Sequence, residues 1–316
     1  MHMHHDHTAS KAARHHRMAG LTLLELLVVL TILIVLSTVA ITSTSAVADQ
    51  ARYEATQRTL ENIRDAVIGP DNLRDTDGTL LYTGFVADTG RLPGALSELV
   101  TKPDGMAAYQ VLSAIENNIV VEPPLVAEDE QDPDVKLGVG WRGPYLRLPP
   151  GNLLLQDGWR EDFVVEDNPV RIISHGRDRA VGPVFGPGVA IYDSDSQVEF
   201  LASVFTSSLT VQVEFRDATT WEYKAPGEAM NVVVRLFGPD PVFGKIRVHK
   251  SDTKTTPSPA VITKFEFDFP SSLALTIGPH AIRAYYNNGA IRSSVAYRML
   301  RPGLNPPLIP LVIAIP

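Results

Sequence analysis

"RHHRMAGLTLLELLVVLTILIVLSTVAI" runs from Arg14 to Ile41, and its reading decides the fold. A basic, polar leader gives way to a long apolar run, with one carboxylate, Glu25, near the start of that run. Leu21 to Ile41 is 21 residues, which as an α-helix rise about 31 Å, close to the hydrocarbon thickness of a bilayer. Lys11, Arg14 and Arg17 precede it, so the positive-inside bias leaves the N-terminus in the cytoplasm and the body outside. A cleaved secretory signal places its small-residue cleavage site beyond a shorter apolar core. Here the small pair Ala19-Gly20 lies before the apolar run, so the run survives a cut made there.

Past the apolar run, helical periodicity continues. Thr56, Leu60, Ile63 and Val67 are spaced four, three and four and form one stripe, while Arg52, Glu54, Arg58 and Glu61 supply polar surface. Gly69-Pro70 ends the pattern. The expectation is one helix from Leu21 to about Ile68, greasy all round in its first half and amphipathic in its second, a stalk whose second half packs against a globular head.

The residues here carry a resemblance. Gly20 followed by Leu21-Thr22-Leu23-Leu24-Glu25-Leu26 resembles the class III signal of type IV pilins and type II secretion pseudopilins. One departure is Leu21, where the family usually has phenylalanine. The resemblance implies cleavage by a prepilin peptidase between Gly20 and Leu21, methylation of the new amine of Leu21, and an assembly role for Glu25. A lone carboxylate in hydrocarbon is costly unless it protonates or finds a partner. The family supplies one, the charged amine of an adjacent subunit's first residue. Such a pair fixes axial register much as a buried polar residue does in a coiled coil. The alternative is a polar residue at the membrane edge of an ordinary anchor.

Further stretches resemble the pseudopilin head. They are Trp141-Arg142-Gly143-Pro144-Tyr145, then Asp157-Gly158-Trp159, then Ser174-His175-Gly176-Arg177-Asp178, then Asp193 and Asp195. Trp141, Tyr145 and Trp159 read as core or loop anchors. In major pseudopilins the last loop binds calcium, and Asp178, Asp193 and Asp195 are the candidate oxygen ligands. Arg177 and Arg179 flank Asp178, and "AVGPVFGPG" replaces the usual acidic insert. The other reading is therefore loop carboxylates paired with arginine or solvated. "DTDG" (Asp75 to Gly78) lacks the remaining acids of an EF-hand and reads as a turn.

Gly84 to Val100 reads as a loop and then a short helix after Pro93. Val170 to Asp178 and Val189 to Phe200 read as strands. Beyond residue 200, apolar residues alternate at Leu209–Phe215, Val232–Leu236, Ile246–Val248 and Phe265–Phe269, and strands recur at Ala281–Tyr286 and Val295–Met299. This spacing suggests an immunoglobulin-like β-sandwich. Ala281 to Met299 has the look of a closing hairpin, and the proline-broken tail is too interrupted to span a membrane and is expected to cover an edge strand or touch a neighbour. The fold class expected is α+β: a long transmembrane and stalk helix on a small antiparallel, pilin-like sheet, followed by an all-β sandwich. The expected division is leader 1–20, helix 21–69, head 70–200 and β domain 201–316.

Composition narrows the function. The net charge of −8 and the absence of cysteine argue against nucleic acid as a partner and exclude disulfides, thiolate catalysis and Cys-based zinc sites. Six of the nine histidines lie within the first sixteen residues; a tag or a polar leader is the reading, and no function is assigned to them. His175, His249 and His280 each stand singly in strand or turn context. No G-x-S-x-G, H-E-x-x-H or P-loop occurs, nor a dinucleotide fingerprint in which G-x-G-x-x-G opens a helix, so no enzyme is expected. The function expected is a structural subunit of a type II secretion pseudopilus or type IV pilus-like filament in the bacterial inner membrane, with its body periplasmic. Its partners would be other copies of itself, the prepilin peptidase, inner-membrane assembly proteins and the membrane, with calcium the one possible cofactor. The alternatives are a minor or tip subunit that binds a partner through the β domain, and a tethered periplasmic enzyme.

Overall fold

The computed structural model describes residues 22–74, 76, 81–121, 131–148, 155–167, 170–182, 191–200, 209–226, 231–251, 253–255, 263–269, 275–300 and 308–316. Gly20, Leu21, the leader, and Asp75, Asp77 and Gly78 of the "DTDG" turn lie outside them. The protein is α+β, with one long apolar helix near the N-terminus and mostly β-sheet after it. Two compact units are defined, Met1–Gln50 and Ala51–Pro316.

Helix α1 (Leu23–Ile68) ends as its sequence dictates. Gly69 takes φ +105° and donates its N–H to the Asp65 carbonyl at 2.9 Å, a left-handed stop that a residue with a Cβ adopts only under strain. All four residues of the stripe Thr56, Leu60, Ile63 and Val67 are buried. Helix α2 (Phe85–Thr89) forms where a loop was expected, because Phe85 and Val86 bury fully against the Leu60–Ile68 stretch of α1. A 3₁₀ turn, Leu96–Leu99, follows Pro93.

Among the described residues fifteen strands make four sheets. Strands β1 (Gln110–Ala114), β2 (Ile119–Val121) and β3 (Asp132–Val139) precede β4 (Val164–Asp167), β5 (Val170–Ser174) and β6 (Ser196–Glu199). Strands β7 (Leu209–Asp217), β8 (Asn231–Pro239), β9 (Ile246–Lys250), β10 (Lys254–Thr255) and β11 (Lys264–Phe269) come next. The last are β12 (Gly278–Tyr286), β13 (Ile291–Arg292), β14 (Ala296–Leu300) and β15 (Ile309–Ile315). The sheets are β1-β3, β4-β5-β6, β11-β7-β15, and a seven-stranded sheet of order β13-β12-β8-β9-β2, with β14 on β12 and β10 on β8. Among the described residues no sheet closes into a barrel.

The turn Asp157-Gly158-Trp159 meets α1 directly. A Cβ on Gly158 would lie 2.0 Å from the Arg52 carbonyl oxygen, and the Gly158 N–H donates to Thr56 Oγ1 at 2.9 Å. Leu60, Ile63 and Val67 share one core with Phe163, Ile172 and Phe200.

In the β-rich part, period-two alternation becomes rows of side chains. Val211 lies in register between Phe267 and Ile309, and Val213 between Phe265 and Leu311. In the larger sheet Leu236 pairs with Ile282 and Val234 with Ala284. These residues of both sheets form one core. The proline-broken tail forms β15, which runs parallel along β7 and buries Ile309, Leu311, Ile313 and Ile315. Asn287, Asn288 and Gly289, all at positive φ, turn the chain from β12 into β13.

Pairing also crosses residue 200. Strand β2 runs parallel to β9, and Val135, Leu137 and Val139 of β3 share a core with Phe237, Val248 and Tyr285. Beside it sits a buried ionic knot. Asp132, fully buried, accepts from Arg283 Nη1 at 2.8 and 3.0 Å and from the Tyr285 hydroxyl at 2.5 Å. Burial, with Asp132 alongside, pushes the Tyr285 phenol up. Removing one partner from such a knot leaves a buried charge uncompensated. Asp132→Ala is expected to cost about 3–5 kcal/mol in denaturant melts. Asp134→Ala, which removes an exposed partner of the same arginine, is expected to cost under about 1 kcal/mol.

Candidate functional site

The first candidate site is the start of α1. From Leu23 to Val39 thirteen large aliphatic side chains are exposed, and the segment is long and apolar enough to cross a membrane, with mean hydropathy 2.7. Glu25 sits in the first helical turn. Its N–H donates to Thr22 Oγ1 at 3.2 Å, and its Oε2 accepts from the Thr22 N–H at 3.5 Å. This reciprocal pair is a capping box, which satisfies two backbone donors that a helix start otherwise leaves open. The T-x-x-E spacing was legible in the sequence, where the carboxylate was weighed as an assembly device or as a polar residue at the membrane edge of an ordinary anchor, and not as a cap. Both oxygen-bearing side chains are exposed, so the carboxylate remains open to an external cation.

The second candidate is the loop of Asp178, Asp193 and Asp195. The structure gives each aspartate a separate task. Asp193 takes both oxygens to Arg177, at 2.8 Å from Nε and 2.9 Å from Nη2. Asp178 caps its own turn by accepting from the Ala180 N–H at 3.1 Å. Asp195 is buried, accepts from the Gly182 N–H at 3.2 Å and lies 3.4 Å from His175 Nδ1. Among the described residues no group of three or more histidine or carboxylate side chains is arranged to hold a metal ion.

The aromatic anchors surround a buried carboxylate that the sequence did not single out. Asp88 in α2 is 1% exposed. It accepts from Arg142 Nη2 at 2.5 Å and from the Tyr145 hydroxyl at 2.9 Å. Tyr145 packs edge-on against Phe85 and Trp141, and the Trp141 indole N–H donates to the Glu98 carbonyl at 2.8 Å. The segment from Trp141 to Tyr145 thus folds around α2. Trp159 is buried, while Asp157 gathers the N–H groups of Trp159 and Glu161 and the Ser174 hydroxyl. These groups are spent on holding loops.

Two histidines read as solitary come together: His249 of β9 and His280 of β12 line one cavity at the end of the β-rich core. Their separation of 31 residues across two strands carries no local signal.

The site and fold therefore define an α+β chain with a helix fit to cross a membrane. No family model, curated protein or solved structure matches it.

Asp88 sets a pH dependence. Burial pushes its carboxyl up to about 6 from 3.8, against the opposing pull of Arg142 and Tyr145. The folded chain therefore holds this proton more tightly than the unfolded chain. The resulting stability is complete below about pH 4 and is lost as the pH rises through about 6. Across that window, denaturant melts of the wild type should lose on the order of 3 kcal/mol relative to Asp88→Asn.

Proposed function

We propose that the chain is a non-enzymatic structural subunit of a type II secretion pseudopilus or type IV pilus-like filament. The observation that carries this reading is the exposed apolar helix with a carboxylate in its first turn, preceded by Gly20 and a basic leader. A prepilin peptidase cuts between Gly20 and Leu21 and the amine of Leu21 is methylated. The helix holds the subunit in the bacterial inner membrane with its body in the periplasm, and inner-membrane assembly proteins extract it into the filament. There Glu25 meets the charged amine of a neighbouring copy. The α1 stripe on β4-β5-β6 corresponds to a pilin-like head. The two sheets that share one core after residue 209 correspond to an immunoglobulin-like sandwich. Calcium belongs to this reading only where Arg177 releases Asp193, an exchange that a calcium-dependent rise in melting temperature would reveal.

Exposed aliphatics alone suit any membrane anchor. Glu25 and the position of Gly20 together favour the filament, because an ordinary anchor needs Glu25 only as a helix cap, a task a neutral glutamine serves as well. Intact mass of the chain extracted from the membranes of a peptidase-bearing bacterium should show loss of residues 1–20 and gain of one methyl group. A mass retaining the leader sinks the proposal. Glu25→Ala should insert and fold as the wild type does yet fail to enter filaments in shear fractions. Incorporation at the wild-type level would remove the register role.

A further inference from the structure

The cavity that joins His249 and His280 has a volume of about 210 Å³, about seven times the ~30 Å³ share of a water in the liquid. Its lining is chemically one-sided. Arg91, which follows α2, and Arg247 of β9 contribute guanidinium groups, His249 and His280 contribute imidazoles, and Thr276 contributes a hydroxyl. Among the described residues no carboxylate lines it.

The two guanidiniums are held from behind. Arg91 donates through Nη1 to Glu98 at 2.6 Å and to the Leu92 carbonyl at 3.0 Å, and through Nε to the Pro241 carbonyl at 3.0 Å. Its Nη2 makes no hydrogen bond among the described residues. Arg247 lies 3.3 Å from the fully buried Asp240, which also gathers the N–H groups of Val242 and Phe243. The carboxylates thus fix the two cations in place from outside the cavity.

His280 is fully enclosed by design of its neighbour. A Cβ on Gly238 would lie 2.7 Å from the imidazole Nε2 and Cδ2, so only glycine lets the ring lie over β8. Its Nδ1 is 3.1 Å from the Gly278 carbonyl. A carbonyl only accepts, so the neutral ring carries its proton on Nδ1 and presents Nε2 as an acceptor. Becoming a donor there requires a second proton. Around the cavity stand Gly238 on β8, Arg247 and His249 on β9, Arg91 after α2, and Thr276 on its own segment, while Arg298, in register opposite on β14, is exposed. Asp240 and Glu98 are already bound to arginines. Among the described residues, a proton gained by His280 therefore faces a cavity lined by cations and by no free anion. Burial, with His249 adding to it, holds the ring down at about 4.

We propose that this cavity binds a small tetrahedral oxyanion, phosphate or a phosphate-like group, whose binding is coupled to uptake of a proton by His280. Two guanidiniums, an imidazolium and a hydroxyl supply donors from three chain segments, a set suited to an oxyanion. A dication is disfavoured because two fixed guanidiniums face the same space. The inference concerns a site apart from α1 and stands whether or not the filament reading holds.

Sulfate is the decisive probe, because its charge does not change between about pH 5 and about pH 7.5. Calorimetry on the full chain in detergent, with chloride at matched ionic strength as the blank, should give a sulfate affinity about tenfold tighter at the lower pH. Repeating the titration at about pH 5.5 in two buffers of different ionisation enthalpy should report uptake of about 0.7 proton per sulfate bound. His280→Asn should abolish the pH dependence, and Arg91→Gln, on a partly exposed residue whose loss the fold tolerates better, should weaken binding at both pH values. Absence of sulfate binding, binding independent of pH in the wild type, or affinity unchanged in both variants overturns the proposal.

Discussion

Exposed hydrocarbon on α1 constrains everything else about this molecule. Burying a leucine, isoleucine or valine is worth about 1.5–3 kcal/mol, and thirteen such side chains between Leu23 and Val39 stand exposed. At even half that value per side chain the exposed surface represents about 10–20 kcal/mol, against a typical folding stability of about 5–15 kcal/mol. A segment of this kind does not persist in water, so lipid or protein must cover it. Its helical backbone suits either surrounding, because all but its terminal polar groups are satisfied within the helix. The body from Ala51 onward buries its own cores and makes no such demand.

Local patterns were legible in the sequence; remote partnerships were not. The four-three-four stripe of α1 placed Thr56, Leu60, Ile63 and Val67 correctly in the core, because a helix sorts its faces by spacing alone. Alternation likewise located β7, β8, β11 and β12, with Leu209, Val211, Val213 and Phe215 each inward. Phe85–Thr89 was read as loop because five residues are too short for periodicity to speak, and its helix is held by burial against α1. The parallel pairings β2–β9 and β7–β15 join segments separated by some hundred residues, and nothing local announces such a register.

The same limit applied to the polar interior. Asp132 and Arg283 look like ordinary surface residues in the sequence, as do Asp88 and Arg142. Asp132 with Arg283, and Asp88 beneath the exposed Arg142, are buried only because strands or loops from distant parts of the chain converge there. Charged side chains this deeply buried are tolerated when paired and hydrogen-bonded. Their directional bonds also reject near-miss arrangements that apolar packing alone would accept, since a shift of one residue in β3 would carry Asp132 to the opposite face of its strand. The ionic knot therefore ties the register of β3 to that of β12, across the residue at which the sequence suggested a boundary.

Glu25 shows how one carboxylate can satisfy two demands at once. In the single chain it closes a capping box, and the Glu25 Oε2 bond to the Thr22 N–H is long, at 3.5 Å. In the proposed filament the competing donor is a charged amine from a neighbouring copy. Both bonds are charge-assisted through the carboxylate, but the amine adds a second full charge of opposite sign, and that attraction strengthens as water is excluded. Exchanging the long local bond for the charged one sacrifices little, while the Thr22 hydroxyl keeps its 3.2 Å bond to the Glu25 N–H and the helix start remains capped. The carboxylate thus has a resting partner that holds the helix start in order without competing strongly against assembly. An aspartate would reach less far, and a glutamine would lack the charge that makes the exchange favourable.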